Sequence, residues 1–154
     1  MIPLFFRGMI YTSIERFVEA QERSYLTALK EIKKGHKETH WMWYIFPQIK
    51  GLGYSELSQY YGITNVEEAI EYLNHPILSQ RLFQISTELL KCQSNDAKEV
   101  FGYPDNLKLK SSMTLFSMVS NESVFNEVLE KFFDGEKDKT TVELITNLSD
   151  TEKK

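Results

Sequence analysis

The residues best suited to chemistry in this sequence are concentrated between positions 41 and 61. This stretch holds both tryptophans and seven of the 20 aromatic residues (10 Phe, 8 Tyr and 2 Trp), far more than an even distribution would give. Polar side chains and two glycines, Gly51 and Gly53, lie among the rings. A pocket for a flat or sugar-like ligand needs rings that stack, polar groups that orient and glycines that allow close approach. The candidates for such contacts are Trp41, Trp43, Gln48, Lys50, Ser55 and Tyr60.

His40 directly precedes this aromatic stretch and is the candidate catalytic residue. An imidazole can act as acid, base or hydrogen-bond donor near neutral pH. The alternative is a histidine that only bonds the backbone at a helix start. For the aromatic stretch as a whole, the alternative is a well-packed core joined by a glycine-bearing connector.

A second group of polar residues lies between Asp105 and Phe116. On a helix, Lys108, Ser111 and Ser112 share one face, and Asp105 lies one turn earlier. A lysine beside hydroxyls can hold a phosphate or a carboxylate, and a serine beside a lysine can be an activated nucleophile. Small polar residues at such spacing are also ordinary in helix packing, so both interpretations stay open.

The elements that must position these residues are predicted to be helices. Apolar residues recur at helical spacing in most segments. The sequence has only 7 Gly and 4 Pro, too few for a turn-rich all-β sandwich. We therefore predict an all-α, single compact domain of about seven to nine helices with no substantial sheet, over residues 13–148. Residues 1–12 are expected to form an N-terminal extension, and residues 149–154 a frayed C-terminal tail.

Charge and cysteine content narrow the function classes. Lys and Arg total 18 against 22 Asp and Glu, a net charge of −4, which disfavours a DNA or RNA polymer as partner. The single cysteine excludes an internal disulfide, and without a Cys/His cluster we expect no metal and no cofactor. The apolar N-terminus is too short to span a bilayer, so no membrane partner and a cytoplasmic location are expected. The oligomeric state stays open.

Five strings in this order resemble a known bacterial family. They are RFVEAQ (16–21), HWMWYIFPQ (40–48), GLGYSELSQYYGI (51–63), YLNHPIL (72–78) and KLKSSMTLF (108–116). The family is catalogued as domain of unknown function 1810 and is sometimes labelled calpastatin-like. The resemblance spans about residues 17–144 and implies a compact, mostly helical single domain without a settled activity. The calpastatin label has little weight, because a calpain inhibitor of that kind is disordered and poor in aromatic residues.

The two polar groups coincide with two of these strings, and we expect them to form opposite walls of one cleft. The leading hypothesis is a cleft that binds a small anionic ring-bearing metabolite, nucleotide-like or ADP-ribose-like, with hydrolysis by His40 as a further option. Lys50 and Lys108, with Ser111 or Ser112, would hold the anionic group. The alternative is a non-enzymatic protein-interaction module that uses the aromatic surface of residues 41–61. A third option is that the strings serve folding alone.

Overall fold

Nine helices account for most of the chain that the computed structural model describes, residues 13–152, with side chains described over residues 13–147. The N-terminal extension expected over residues 1–12 lies outside these residues, as do residues 153–154. The helices are α1 (Glu15–Lys34), α2 (Met42–Ile45), α3 (Glu56–Tyr60), α4 (Val66–Asn74), α5 (Pro76–Lys91), α6 (Ala97–Phe101), α7 (Asp105–Val119), α8 (Ser123–Phe133) and α9 (Lys139–Glu152). Helix α9 therefore includes residues 149–152 of the expected tail.

Local sequence signals explain where these helices begin. The Ser55 hydroxyl accepts the Ser58 backbone N–H at the start of α3. At α4, the Asn65 side chain accepts the Glu68 N–H at 2.9 Å, and the Glu68 carboxylate accepts the Thr64 N–H at 2.9 Å. The first of these bonds is the one that capping-box spacing predicts, while the Glu68 carboxylate reaches one residue beyond the N-cap Asn65. Pro76 is the first residue of α5, where its missing N–H costs nothing.

Helix α7 lies at the centre of the domain and is buried on every side from Ser111 to Phe116. Helices α4, α6, α8 and α9 pack around it, while α1 packs against α5 and α5 against α8. Its hydroxyl groups largely bond within the helix, as where Thr114 donates to the Lys110 carbonyl at 2.7 Å. The Thr114 hydroxyl also accepts the Asp138 N–H at 2.9 Å, which ties the start of α9 to α7.

Within residues 13–152 there is no strand, and a parallel bridge between Ile49 and Ile63 is the one β-type contact. The prediction of an all-α domain of seven to nine helices without a substantial sheet is confirmed for this part of the chain. None of its helices combines the length and the apolarity that crossing a membrane requires.

Candidate functional site

The loop between α2 and α3 is held in place by its backbone. The Lys50 N–H donates to the Ile63 carbonyl at 2.8 Å, and the Ile63 N–H donates to the Gln48 carbonyl at 2.8 Å. Gly53 lies so close to α3 that a Cβ there would be 2.7 Å from the Ser58 hydroxyl oxygen. The glycine therefore permits a close approach that a larger residue would prevent.

A groove of about 230 Å³ opens between this loop and the first turns of α7 and α9, and we call it the Lys108 groove. Three stretches of chain form its walls: the loop and α3, the start of α7, and the start of α9. The lining residues are Gln48, Leu52, Gly53, Ser58, Pro104, Leu107, Lys108, Ser111, Asp138 and Thr140. An adjoining recess shares the loop residues and is also lined by Trp43 and Tyr61. The two polar groups of the sequence thus meet at one concave site.

Lys108 is the cation of this groove. Its ammonium lies 4.8 Å from the centroid of the Trp43 ring and 3.3 Å from the Asp105 carboxylate. The lysine side chain keeps 22% of its surface exposed, so it is accessible to a ligand. A cation over an indole face is stabilised by the ring quadrupole. Lys108 is therefore positioned by one ring and one carboxylate at the wall of the groove.

Asp105 has a second partner, Lys37, which does not line the groove. The Lys37 ammonium lies 3.0 Å from the other carboxylate oxygen, and only 7% of the lysine side chain is exposed. Lys37 also donates to the Thr39 carbonyl at 2.6 Å and lies 5.0 Å from the Trp41 ring centroid. A row of three charges therefore connects the surroundings of the two tryptophans.

Glu31 anchors the segment that carries Lys37 and Trp41. Its carboxylate accepts the Trp41 indole N–H at 2.9 Å, the Glu38 N–H at 2.8 Å and two bonds from Thr39 at 3.0 and 2.6 Å. Burial alone would raise the pKa of Glu31, but these hydrogen bonds outweigh it and lower the pKa to about 2. Glu31 is therefore a charged, buried acceptor at neutral pH.

The structure brings four of the predicted site residues together. Gln48, Lys108 and Ser111 line the Lys108 groove, and Trp43 lies beneath Lys108 in the adjoining recess. The Ser111 hydroxyl donates to the Leu107 carbonyl at 3.1 Å, so its proton is already engaged. The groove residues that sequence reasoning did not single out include Asp138, which directly precedes α9, and Thr140 in its first turn; the fold alone brings both there.

The remaining predicted site residues are placed elsewhere. Trp41 is 1% exposed and packs in the core against Phe46 and Phe101. Lys50 and Tyr60 line a different groove of about 380 Å³. The other three residues do not line the Lys108 groove either. Ser55 caps α3, and His40 is exposed beside Trp41. Ser112 is buried in α7, where its hydroxyl has no hydrogen-bond partner among the described residues.

Arg16 is a second buried ionic centre that sequence reasoning missed. Its guanidinium forms a bidentate pair with Glu68 at 2.8 and 3.1 Å and donates to the carbonyls of Tyr60 at 2.7 Å and Gly62 at 2.9 Å. Burial raises the pKa of Glu68, but the bonds from Arg16 and from the Thr64 N–H outweigh it and lower the pKa. This arrangement joins α1 to the chain between α3 and α4.

Across the described side chains, no three His, Cys, Asp or Glu residues converge in a way that could hold a metal ion. The site is thus built from a lysine, an indole ring, amide and hydroxyl groups and one capping aspartate. That composition suits recognition of a small polar ligand by hydrogen bonds, one cation and one aromatic ring.

The fold and the groove define a compact all-α domain with an aromatic and lysine-lined surface site. The chain belongs to the family described as "Protein of unknown function (DUF1810)", which matches residues 11–145. It is also similar to the crystal structure of the conserved hypothetical protein Rv1873 from Mycobacterium tuberculosis. The two chains share 42% sequence identity with a TM-score of 0.85, over 86% of this chain and 96% of the other. No curated protein matches the sequence.

Proposed function

We propose that this protein binds a small ring-bearing anion in the Lys108 groove, such as a mononucleotide or a nucleotide-like part of ADP-ribose. The observation that carries the proposal is the ammonium of Lys108, which lies over the Trp43 ring at the wall of the groove. Gln48 and Ser58 add an amide and a hydroxyl to the opposite wall. An anionic group would contact Lys108, and the amide would bond the edge of the ring.

The size of the groove limits the ligand. Its volume of about 230 Å³ lies below the range of about 300–1,000 Å³ that is typical of pockets for drug-sized molecules. A single ring with one sugar or one anionic group suits such a space better than a dinucleotide. Complete ADP-ribose would therefore leave one of its halves outside the groove.

The geometry favours binding over hydrolysis. A serine nucleophile needs a neighbouring base to take its proton. Ser111 is almost fully buried and donates instead to the Leu107 carbonyl. Among the residues that the structure describes, the charged side chains that line the groove are Lys108 and Asp138, and the Asp138 carboxylate accepts two hydrogen bonds from Thr141. Our proposal is accordingly a binding protein, without a hydrolytic step by His40.

An exposed apolar surface favours a second candidate function. Tyr54 is 91% exposed, and Leu57 and Tyr60 on α3 are also exposed. Exposed aromatic residues are frequent at the energetic centres of protein interfaces. A protein partner that docks on this surface would make the chain an interaction module. In that case Tyr54→Ser would abolish partner binding without changing small-molecule binding.

A thermal-shift panel tests the leading proposal. We suggest AMP, ribose 5-phosphate, ADP-ribose and the uncharged nucleoside adenosine as probes. A probe at about 100 times its Kd should stabilise the fold by about 2.7 kcal/mol. We expect the anionic ring-bearing probes to give the largest shift in Tm. A flat response to every probe would overturn the proposal.

Two matched variants assign the response to the groove. Lys108→Gln removes the cation, and the shift caused by AMP should disappear. Lys30→Gln removes an exposed lysine in the C-terminal half of α1 and should leave the shift unchanged. Equal responses of both variants would place AMP outside the Lys108 groove.

A further inference from the structure

We infer that Lys37 is a positioning residue for the groove. It stays paired with Asp105, so that Lys108 can leave Asp105 and bind an anion. The inference rests on the proposed function and extends it to a residue outside the groove. Lys37 does not line the groove, and the carboxylate of Asp105 pairs with both Lys37 and Lys108. The ion pair between Lys37 and Asp105 joins the segment before α2 to the first turn of α7.

The two ion pairs of Asp105 are unequal. Lys37 lies 3.0 Å from the carboxylate and is almost fully buried, whereas Lys108 lies 3.3 Å away and is more exposed. Lys37 is also fixed by the Thr39 carbonyl and by the Trp41 ring. Its backbone N–H donates to the Val100 carbonyl at 2.7 Å. Lys37 is therefore the permanent partner of Asp105, and Lys108 is the one that can be drawn away.

The difference between the two ion pairs of Asp105 determines what an anion must disrupt when it binds Lys108. An anion that draws Lys108 into the groove removes one of the two cations from Asp105. With Lys37 in place, the carboxylate keeps one cation close to it, so moving Lys108 away costs little free energy. Without Lys37, the carboxylate would lose its last cation, and leaving a partly buried charge unpaired is costly. Lys37 should therefore strengthen anion binding at Lys108 without touching the anion.

Quenching of tryptophan fluorescence by iodide can measure this effect without a known ligand. The chain has two tryptophans, of which Trp41 is buried in the core and Trp43 is half-buried beneath Lys108. Iodide should therefore quench Trp43 preferentially, and its Stern–Volmer constant should report how readily an anion reaches Lys108. Trp43→Phe identifies the quenched ring. The neutral quencher acrylamide controls for a general opening of the fold.

The expected changes follow from the shared carboxylate. Lys108→Gln and Lys37→Gln should each lower the iodide constant about two- to fivefold, the range that ion pairs of this exposure produce. The double variant should be no lower than Lys108→Gln alone, because Lys37 acts only through Lys108. Adding Asp105→Asn to Lys37→Gln should restore quenching, since Lys108 is then free. The acrylamide constant should stay unchanged throughout.

Three outcomes would overturn the inference. They are an unchanged iodide constant in Lys37→Gln, a further loss in the double variant, and a failure of Asp105→Asn to restore quenching. If Lys37→Gln does not fold, Asp105→Asn alone must raise iodide quenching, and no rise would refute the inference. An unchanged constant in Lys108→Gln would instead contradict the proposed function, so the two failures are distinguishable.

Discussion

Replacement of Glu31 by glutamine should destabilise the fold because it removes one buried negative charge. The Glu31 carboxylate is buried and accepts four hydrogen bonds, among them the indole N–H of Trp41 and the two bonds from Thr39. Glutamine has the same shape but presents an NH₂ group where donors already point. It also lacks the charge that strengthens these bonds. We expect the segment that carries Lys37 to loosen with it.

The magnitude follows from the pKa of Glu31. Burial opposes ionisation, but the hydrogen bonds from Thr39, Glu38 and Trp41 lower the pKa from 4.5 to about 2. Each pKa unit corresponds to about 1.4 kcal/mol, so ionisation stabilises the fold by about 3 kcal/mol at neutral pH. Because the folded pKa is the lower one, this stability is present above pH 4.5. It is lost as the pH falls through about 2.

Urea unfolding of both proteins at pH 7 and pH 3 measures this contribution. The free-energy gap between wild type and Glu31→Gln should be about 3 kcal/mol at pH 7 and about 1 kcal/mol at pH 3. Glu38→Gln, in the same segment but exposed, should show no gap. A gap that does not change with pH would refute the reasoning, because it would mean that the loss comes from shape rather than from charge.

Three further substitutions test other parts of the structure. Arg16→Lys should cost about 1.5–3 kcal/mol in urea unfolding, because an ammonium keeps the charge but cannot replace the bidentate bond to Glu68; a loss below 1 kcal/mol would contradict this. Thr114→Val should lower the free energy of unfolding by about 1 kcal/mol, because it removes the acceptor of the partly buried Asp138 N–H; an unchanged Tm would count against it. Gly53→Ala should weaken AMP binding, since its Cβ would meet the Ser58 hydroxyl; unchanged affinity would contradict the geometry of the groove.

Helix boundaries could be predicted because their causes are local. Ser55 and Asn65 cap the helices that follow them, and Pro76 begins α5. Gly35 adopts a left-handed conformation with φ of +80° and ends α1. Each of these effects operates within a few residues of the chain, so spacing alone indicates it.

Which of Trp41 and Trp43 is buried in the core, and which lies beside the groove, could not be predicted in the same way. Trp41 lies just before α2, and α2 has only four residues, too few for a readable apolar periodicity. One ring is buried against Phe46 and Phe101, while the other lies under Lys108. Tertiary packing alone decides which ring is available.

Helix α7 is a second place where helical spacing does not predict which residues form the groove. Because it is buried on every side from Ser111 to Phe116, spacing does not separate groove residues from core residues. Ser111 lines the groove, while the next residue, Ser112, is fully buried and does not line it. The partner of Lys108 lies one turn earlier, but the second cation on Asp105 comes from Lys37, far away in the chain.

Glu31 did carry a readable signal. It lies three residues after Ala28 and one before Ile32, on the apolar stripe of α1, where a carboxylate is unexpected. A charged residue on a buried stripe predicts a local set of donors. Gln21, an uncharged polar residue on the same stripe, is also paired: its amide donates to the Tyr44 carbonyl and the Tyr72 hydroxyl.

The most direct test of the proposed function is a crystal structure of the protein grown with AMP. We predict that the phosphate contacts the Lys108 ammonium and that the adenine ring lies between the loop at Gln48 and the start of α7. Lys37 should stay within hydrogen-bond distance of Asp105. A structure in which the Lys108 groove is empty, or in which AMP occupies the groove of Lys50 and Tyr60, would contradict the proposal.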